Sequence, residues 1–275
     1  MPKLGNLAMR FITVVPLIPL IVLAIEWRLP YGVWGIVFAA TVIGIHEYFS
    51  MALPAAEDRN DRWFGVGVGV ALALLLYWGG ALRVAALPAV VIIPALYYLF
   101  RFRDLTSVMP RFGLTVLGLI YSAALLTFLA LQKSDLPHGG DWVFITLMTA
   151  WFGDTGAYFA GRFLGKTKLY PAISPGKTRA GAVGGLAGSF GAAVLANLWF
   201  FPELGWVHGA IVTVVGSALG QCGDLVESMM KRAFGVKDSG KILPGHGGIL
   251  DRVDAVVFIA PFVYVYALLA WSPVG

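Results

Sequence analysis

Nine apolar stretches, each bounded by charged residues or by proline and glycine, govern what this chain can fold into. A helix needs about 20 apolar residues to cross the ~30 Å hydrocarbon core of a bilayer. The stretches run approximately Phe11–Ile25, Tyr31–Met51, Phe64–Trp78, Val84–Phe100, Phe112–Leu131, Trp142–Gly161, Ala180–Phe201, Val207–Met230 and Val253–Trp271. The third is short and is expected to tilt into an interface. Composition agrees, with 59% apolar and only 13% charged residues, against about 25% charged in soluble domains. Such a chain lacks the polar surface to cover a water-facing globule. The expected fold is all-α, a polytopic integral membrane protein with about nine transmembrane helices.

The loops supply an orientation. With the N-terminus cytosolic, 17 of the 20 Lys and Arg fall in cytosolic segments, and only Arg28, Arg83 and Lys133 fall outside. That division follows the positive-inside rule. Trp27, Trp63, Trp142, Trp206 and Trp271 sit at stretch ends, where an interfacial aromatic belt places them. The first stretch resembles a signal peptide, but Glu26-Trp27-Arg28 follow it instead of a small-residue cleavage site, so it reads as the first span. The single cysteine, Cys222, excludes an intramolecular disulfide framework and a Cys-based metal cluster. Residues 1–111 read as transmembrane scaffold. Residues 112–275 read as the catalytic region, with cytosolic loops 162–179 and 231–252.

Ionisable residues inside spans are costly and mark function. They are His46 and Glu47, Asp154, Asp224 and Glu227, and Asp254. His46 and Glu47 lie near a helix end, where snorkelling or an inter-helix pair accounts for them. Asp224, Glu227, Ser228 and Lys231 follow i, i+3, i+4, i+7 spacing and share one helical face. The loop beyond carries Lys237, Asp238 and Lys241, then Pro244-Gly245-His246-Gly247-Gly248, whose glycines let backbone approach a ligand closely. Asp251 is placed to N-cap the last helix, and Asp254 lies one turn on.

A second cluster holds Asp154-Thr155-Gly156-Ala157-Tyr158 with Arg162, followed by Ser174-Pro175-Gly176-Lys177-Thr178. Ser174-Pro175 suits an N-cap and first helical position, with free N–H groups for an anion. Glycines 181, 184, 185, 188 and 191 suit close helix packing. Carboxylates without Cys or paired His favour a hard cation, magnesium first. Lys and Arg beside them point to phosphate. Spacing alone reaches metal-assisted phosphate chemistry on a membrane substrate and stops there.

The 27 residues from Ser228 to Asp254 carry a more specific pattern: Ser228, Lys231-Arg232, Lys237-Asp238, Gly240, Leu243-Pro244, His246-Gly247-Gly248-Ile249 and Asp251-Arg252-Val253-Asp254. This pattern resembles the characteristic motif of phosphatidate cytidylyltransferases. Asp154-Thr155-x-Ala157-Tyr158 and Ser174-Pro175-x-Lys177-Thr178 are similar to that family's other blocks. One departure is Ala180, where family members commonly carry an acid before the glycine; Glu47 is one substitute for it.

The resemblance implies that CTP and phosphatidate give CDP-diacylglycerol and pyrophosphate at the cytosolic face of the cell inner membrane. It implies magnesium, a further monovalent cation such as K+, a homodimer among membrane lipids, and no nucleic acid. Carried over residue by residue, Asp224 and Asp251 are metal ligands, with Asp154 a third acidic participant in catalysis. Ser174, Lys177, Ser228, Lys231, Arg232, Lys237, His246 and Arg252 are the substrate-binding candidates. A transporter would instead show matching broken helices in two halves. A transferase that consumes a CDP-linked lipid would show Asp-x-x-x-Asp, which this chain lacks.

Overall fold

The structure, a computed structural model, describes residues 19–101, 104–242 and 247–271. The helices are α1 (described over 19–26), α2 (Tyr31–Ala52), α3 (Arg59–Trp78), α4 (Ala86–Arg101), α5 (Leu105–Gly118), α6 (Leu125–Asp135), α7 (Gly139–Leu164), α8 (Arg179–Leu195), α9 (Trp206–Ala233), α10 (Leu250–Val253) and α11 (Val256–Ala270). A π-helical turn, Leu119–Ala124, joins α5 to α6, and another, Ala196–Phe200, extends α8. Six helical stretches are long and apolar enough to cross a membrane: Tyr31–Ala52, Ala56–Trp78, Gly80–Arg101, Leu105–Asp135, Arg179–Phe200 and Trp206–Ala233. The chain is therefore an all-α membrane protein, with one hairpin among the described residues. Most of the expected first span lies outside the described residues.

Two expectations change. The third span is not short, because the charged residues that bounded its apolar run lie inside the helix. Arg62 donates to the Leu53 and Ala55 carbonyls at 2.9 and 3.3 Å, and Asp61 accepts from Arg111 and from the Tyr97 hydroxyl, each at 2.8 Å. Paired charges extend the helix where unpaired ones would end it. The second change concerns Ser174-Pro175, which sits in a strand and not at a helix start. Strands β1 (Lys168–Tyr170) and β2 (Ser174–Thr178) form an antiparallel hairpin. Proline is tolerated in a two-stranded ribbon because every strand there is an edge. The N-cap of α8 is Thr178, whose hydroxyl accepts from Gly181 N–H at 3.0 Å.

The chain divides into two compact units. The first comprises Tyr31–Thr127 with Asp238–Arg252, and the second Val22–Pro30, Phe128–Lys237 and 253–271. In the first, glycines admit the side chains of α2: a Cβ on Gly69 would strike Ile45 at 2.7 Å, and one on Gly65 or Gly118 would overlap the ring of Phe49 or Tyr48. Tyr48 ties α2 to α5 through a 3.0 Å bond to the Leu114 carbonyl. Arg111 also meets Asp58 at 2.6 Å.

In the second unit, α7 and α8 approach to backbone contact along the glycine stripe. A Cβ on Gly156 would hit the Gly184 carbonyl, and a Cβ on Gly188 would meet the Phe152 carbonyl at 2.5 Å. This is the close packing the spacing predicts. Hydroxyls then bridge the helices: Ser189 donates to the Thr149 carbonyl at 3.0 Å. Gln132, fully buried, accepts from Thr146 and donates to the Ala260 carbonyl, both at 2.9 Å.

Candidate functional site

In the second unit, α7, α8, α9 and the hairpin enclose a cavity of roughly 390 Å³. Asp154, Tyr158 and Arg162 enter from α7, Lys177 and Thr178 from β2, and Gln221 and Asp224 from α9. The glycines make the cavity possible, since Gly161, Gly176 and Gly181 line it without filling it. Gln221 is fixed by donating to the Ala182 carbonyl at 3.1 Å. Arg162 donates to the Tyr158 hydroxyl at 2.9 Å, one helical turn back on α7.

The principal charged contact in this cavity joins Lys177 to Asp224, Nζ to Oδ2, at 2.6 Å. Both side chains keep about a third of their surface exposed, 26% and 32%. An ammonium and a carboxylate in that state stay open to solvent-borne partners. One turn further along α9, Glu227 is buried and ion-paired with Lys231. The shared face of α9 is thus real, but Lys231 is committed to Glu227. Asp254, beyond α10, lies within electrostatic reach of Asp224, Asp154 and Lys231.

The remaining candidates scatter. Ser174 begins β2 and Ser228 is half-buried on α9; neither lines the cavity. Arg232 is exposed at the end of α9 and reaches the Val236 carbonyl at 3.4 Å. Lys237 and Arg252 are exposed. His246 lies outside the described residues.

Asp251 belongs to the first unit, and it does not N-cap the last helix. It sits inside α10, and its Oδ2 accepts from Ser239 N–H at 2.9 Å, Ser239 Oγ at 3.0 Å and Gly248 N–H at 2.8 Å. Glu47 holds the same loop. It is 3% exposed and accepts from Ile249 N–H, Leu250 N–H and Ser239 Oγ, each at 3.0 Å. A Cβ on Gly240 or Gly248 would collide with the Glu47 carboxylate. Glu47 is the residue the sequence reading undervalued. The available signal was its cost: a carboxylate in an apolar helix needs a full set of donors.

Among the described residues no three His, Cys, Asp or Glu side chains gather as a metal cage. Magnesium does not require one, because it retains several waters and takes one or two carboxylates plus substrate phosphates. A partly exposed Asp224 beside Asp154 on a cavity wall fits that demand in ligand chemistry.

Comparison with known proteins adds the family. The cytidylyltransferase family matches residues 8–270. A phosphatidate cytidylyltransferase of Bacillus subtilis is 44% identical over 137 residues, half of each chain. Those of Staphylococcus haemolyticus and Brucella suis are each 41% identical, over 169 and 162 residues. These matches cover 60% of both chains for the first, and 58% of this chain and 59% of the relative for the second. The aligned stretches thus span between half and three fifths of these relatives' length. The chain belongs to the cytidylyltransferase family.

Proposed function

We propose that this protein is a phosphatidate cytidylyltransferase, joining CTP to phosphatidate to give CDP-diacylglycerol and pyrophosphate. The observation that carries the reading is the Lys177–Asp224 pair on the cavity wall. In this pair the two charges neutralise each other. A nucleoside triphosphate would bring a phosphate for Lys177, and magnesium, held by Asp224, would supply the opposite charge for its carboxylate. Exchange of partners then leaves neither charge without an opposite partner.

An oxygen of the lipid phosphate attacks the α-phosphorus of CTP. A new P–O bond forms to the lipid, the bond to the β-phosphate oxygen breaks, and pyrophosphate leaves with the electron pair. A phosphate monoester near neutral pH is already largely dianionic, so no strong general base is needed. Catalysis rests on positioning and on neutralising two anionic reactants. Lys177 and Arg162 supply positive charge at the cavity, while Thr178 and Gln221 supply polar groups held by the hairpin and α9. Asp224 and Asp251 would hold magnesium, a pairing that comes from the motif; bound there it would neutralise charge on the triphosphate. Asp154 is the further acidic participant, and Ser228, Lys231, Arg232, Lys237, His246 and Arg252 remain motif-based substrate contacts.

The same reading includes nine spans with a cytosolic N-terminus, residence in the bacterial inner membrane, a monovalent cation such as K+, and a homodimer. Purified protein given CTP, phosphatidate and magnesium should yield CDP-diacylglycerol by mass spectrometry, with pyrophosphate in equal amount. Absence of both products defeats the proposal.

A further inference from the structure

The first unit carries a second cavity, of roughly 340 Å³, lined by none of the residues discussed as catalytic. His46, Phe49 and Ser50 line it from the last turns of α2, at i, i+3, i+4 spacing. Arg59, Arg62, Trp63 and Val66 line it from the first turns of α3, at i, i+3, i+4, i+7. Two matched helical faces therefore build the walls.

The lining includes two arginines and a histidine and no carboxylate. Asp58 and Asp61, neighbours of Arg59 and Arg62 in sequence, are paired with Arg111. Arg62 is preorganised, because Nη1 is occupied by the Leu53 and Ala55 carbonyls and the guanidinium cannot swing away. A guanidinium has five N–H donors in a fixed fork, so donors remain for an oxyanion. The Ser50 hydroxyl adds a neutral donor. Phe49 is fully buried and Val66 nearly so, whereas the Trp63 ring, 57% exposed, sits 5.9 Å from the His46 ring, centroid to centroid. Basic groups beside an exposed indole suit an amphiphile.

We propose that this cavity binds the phosphate of an anionic phospholipid, with Arg59, Arg62 and His46 around the headgroup and Trp63 against its glycerol and acyl portion. A soluble phosphate offers the same oxyanion but leaves the exposed Trp63 ring without a partner. Basic pockets between transmembrane helices take anionic headgroups for the same reason. The site is independent of the cytidylyl-transfer reading, and its ligand need not be the phosphatidate consumed there.

Native mass spectrometry of the detergent-solubilised protein, titrated with phosphatidylglycerol or phosphatidylcholine, reads the site directly. Using phosphatidylglycerol keeps the result separate from turnover of phosphatidate. Arg59→Gln and His46→Gln are each expected to weaken phosphatidylglycerol retention about fivefold, a typical effect of one basic group, and to leave phosphatidylcholine retention unchanged. Millimolar inorganic phosphate should not displace the lipid. Equal retention by wild type and both variants overturns the proposal, and so does full displacement by inorganic phosphate, which would make this a free-phosphate site. Should Arg59→Gln fail to fold, His46→Gln and Ser50→Ala give the same reading.

Discussion

Glu47 and Asp251 in the first unit are gripped by backbone N–H groups and a serine hydroxyl, whereas Asp224 in the second meets a lysine ammonium at a cavity wall. Backbone donors are fixed by the fold and cannot leave without unfolding the loop. An ammonium on a four-carbon stem can move to another partner. Both arrangements satisfy carboxylates, but only in the second can the partner leave while the fold stays intact. The first sets the shape of the segment between Ser239 and Asp251. The second holds charge in readiness for a ligand.

Substitutions separate the two arrangements. The largest expected effect is on chemistry alone: Asp224→Asn should lower turnover about 10³-fold, or about 4 kcal/mol of barrier. Its melting temperature should stay unchanged, because the side chain is partly exposed. A stable Asp224→Asn protein with near-normal turnover would remove that residue from the site. Glu47→Gln should do the reverse first, destabilising the protein by about 3 kcal/mol, since an amide presents N–H groups to the N–H donors of Ile249 and Leu250. Denaturation and hydrogen exchange across 238–252 measure it, and unchanged protection of that loop would end the clasp description.

Lys177→Met should lower kcat/KM for CTP about 30-fold, or about 2 kcal/mol, with little change in stability. If the loss fell on stability instead, the Lys177–Asp224 pair would be a structural bridge like the clasp. Gln132→Leu, whose partners Thr146 and Ala260 belong to neither arrangement, should cost about 1 kcal/mol of stability by stranding the Thr146 hydroxyl, and should leave turnover untouched. A turnover defect there would blur the separation between scaffold and site.

Helices were legible in the sequence because apolar length is a bulk property that needs no partner. Tyr31–Ala52 and Trp206–Ala233 fall within a few residues of the expected stretches. Boundaries failed where partners were remote. Asp61 and Arg62 read as a loop until Arg111, Tyr97 and the α2–α3 turn supply their partners. Ser174-Pro175 read as a cap because local chemistry permits it, but Thr178 caps α8 and the intervening residues close a hairpin. The face shared by Asp224 and Lys231 was visible as helical spacing. The pairing of Asp224 with Lys177 was not, because it spans 47 positions and arises only when α9 meets the hairpin. Glu47 was visible as a cost without a stated recipient, and its donors lie about 200 residues away, as Ile249 and Leu250 show.

The most direct test follows two labels. Protein supplied with phosphatidate and CTP carrying radiophosphorus at either the α or the γ position should move the α label into the lipid fraction and release the γ label as water-soluble pyrophosphate. Transfer of the γ label to lipid would mark a kinase, and no transfer of either label would contradict attack of the lipid phosphate on the α-phosphorus.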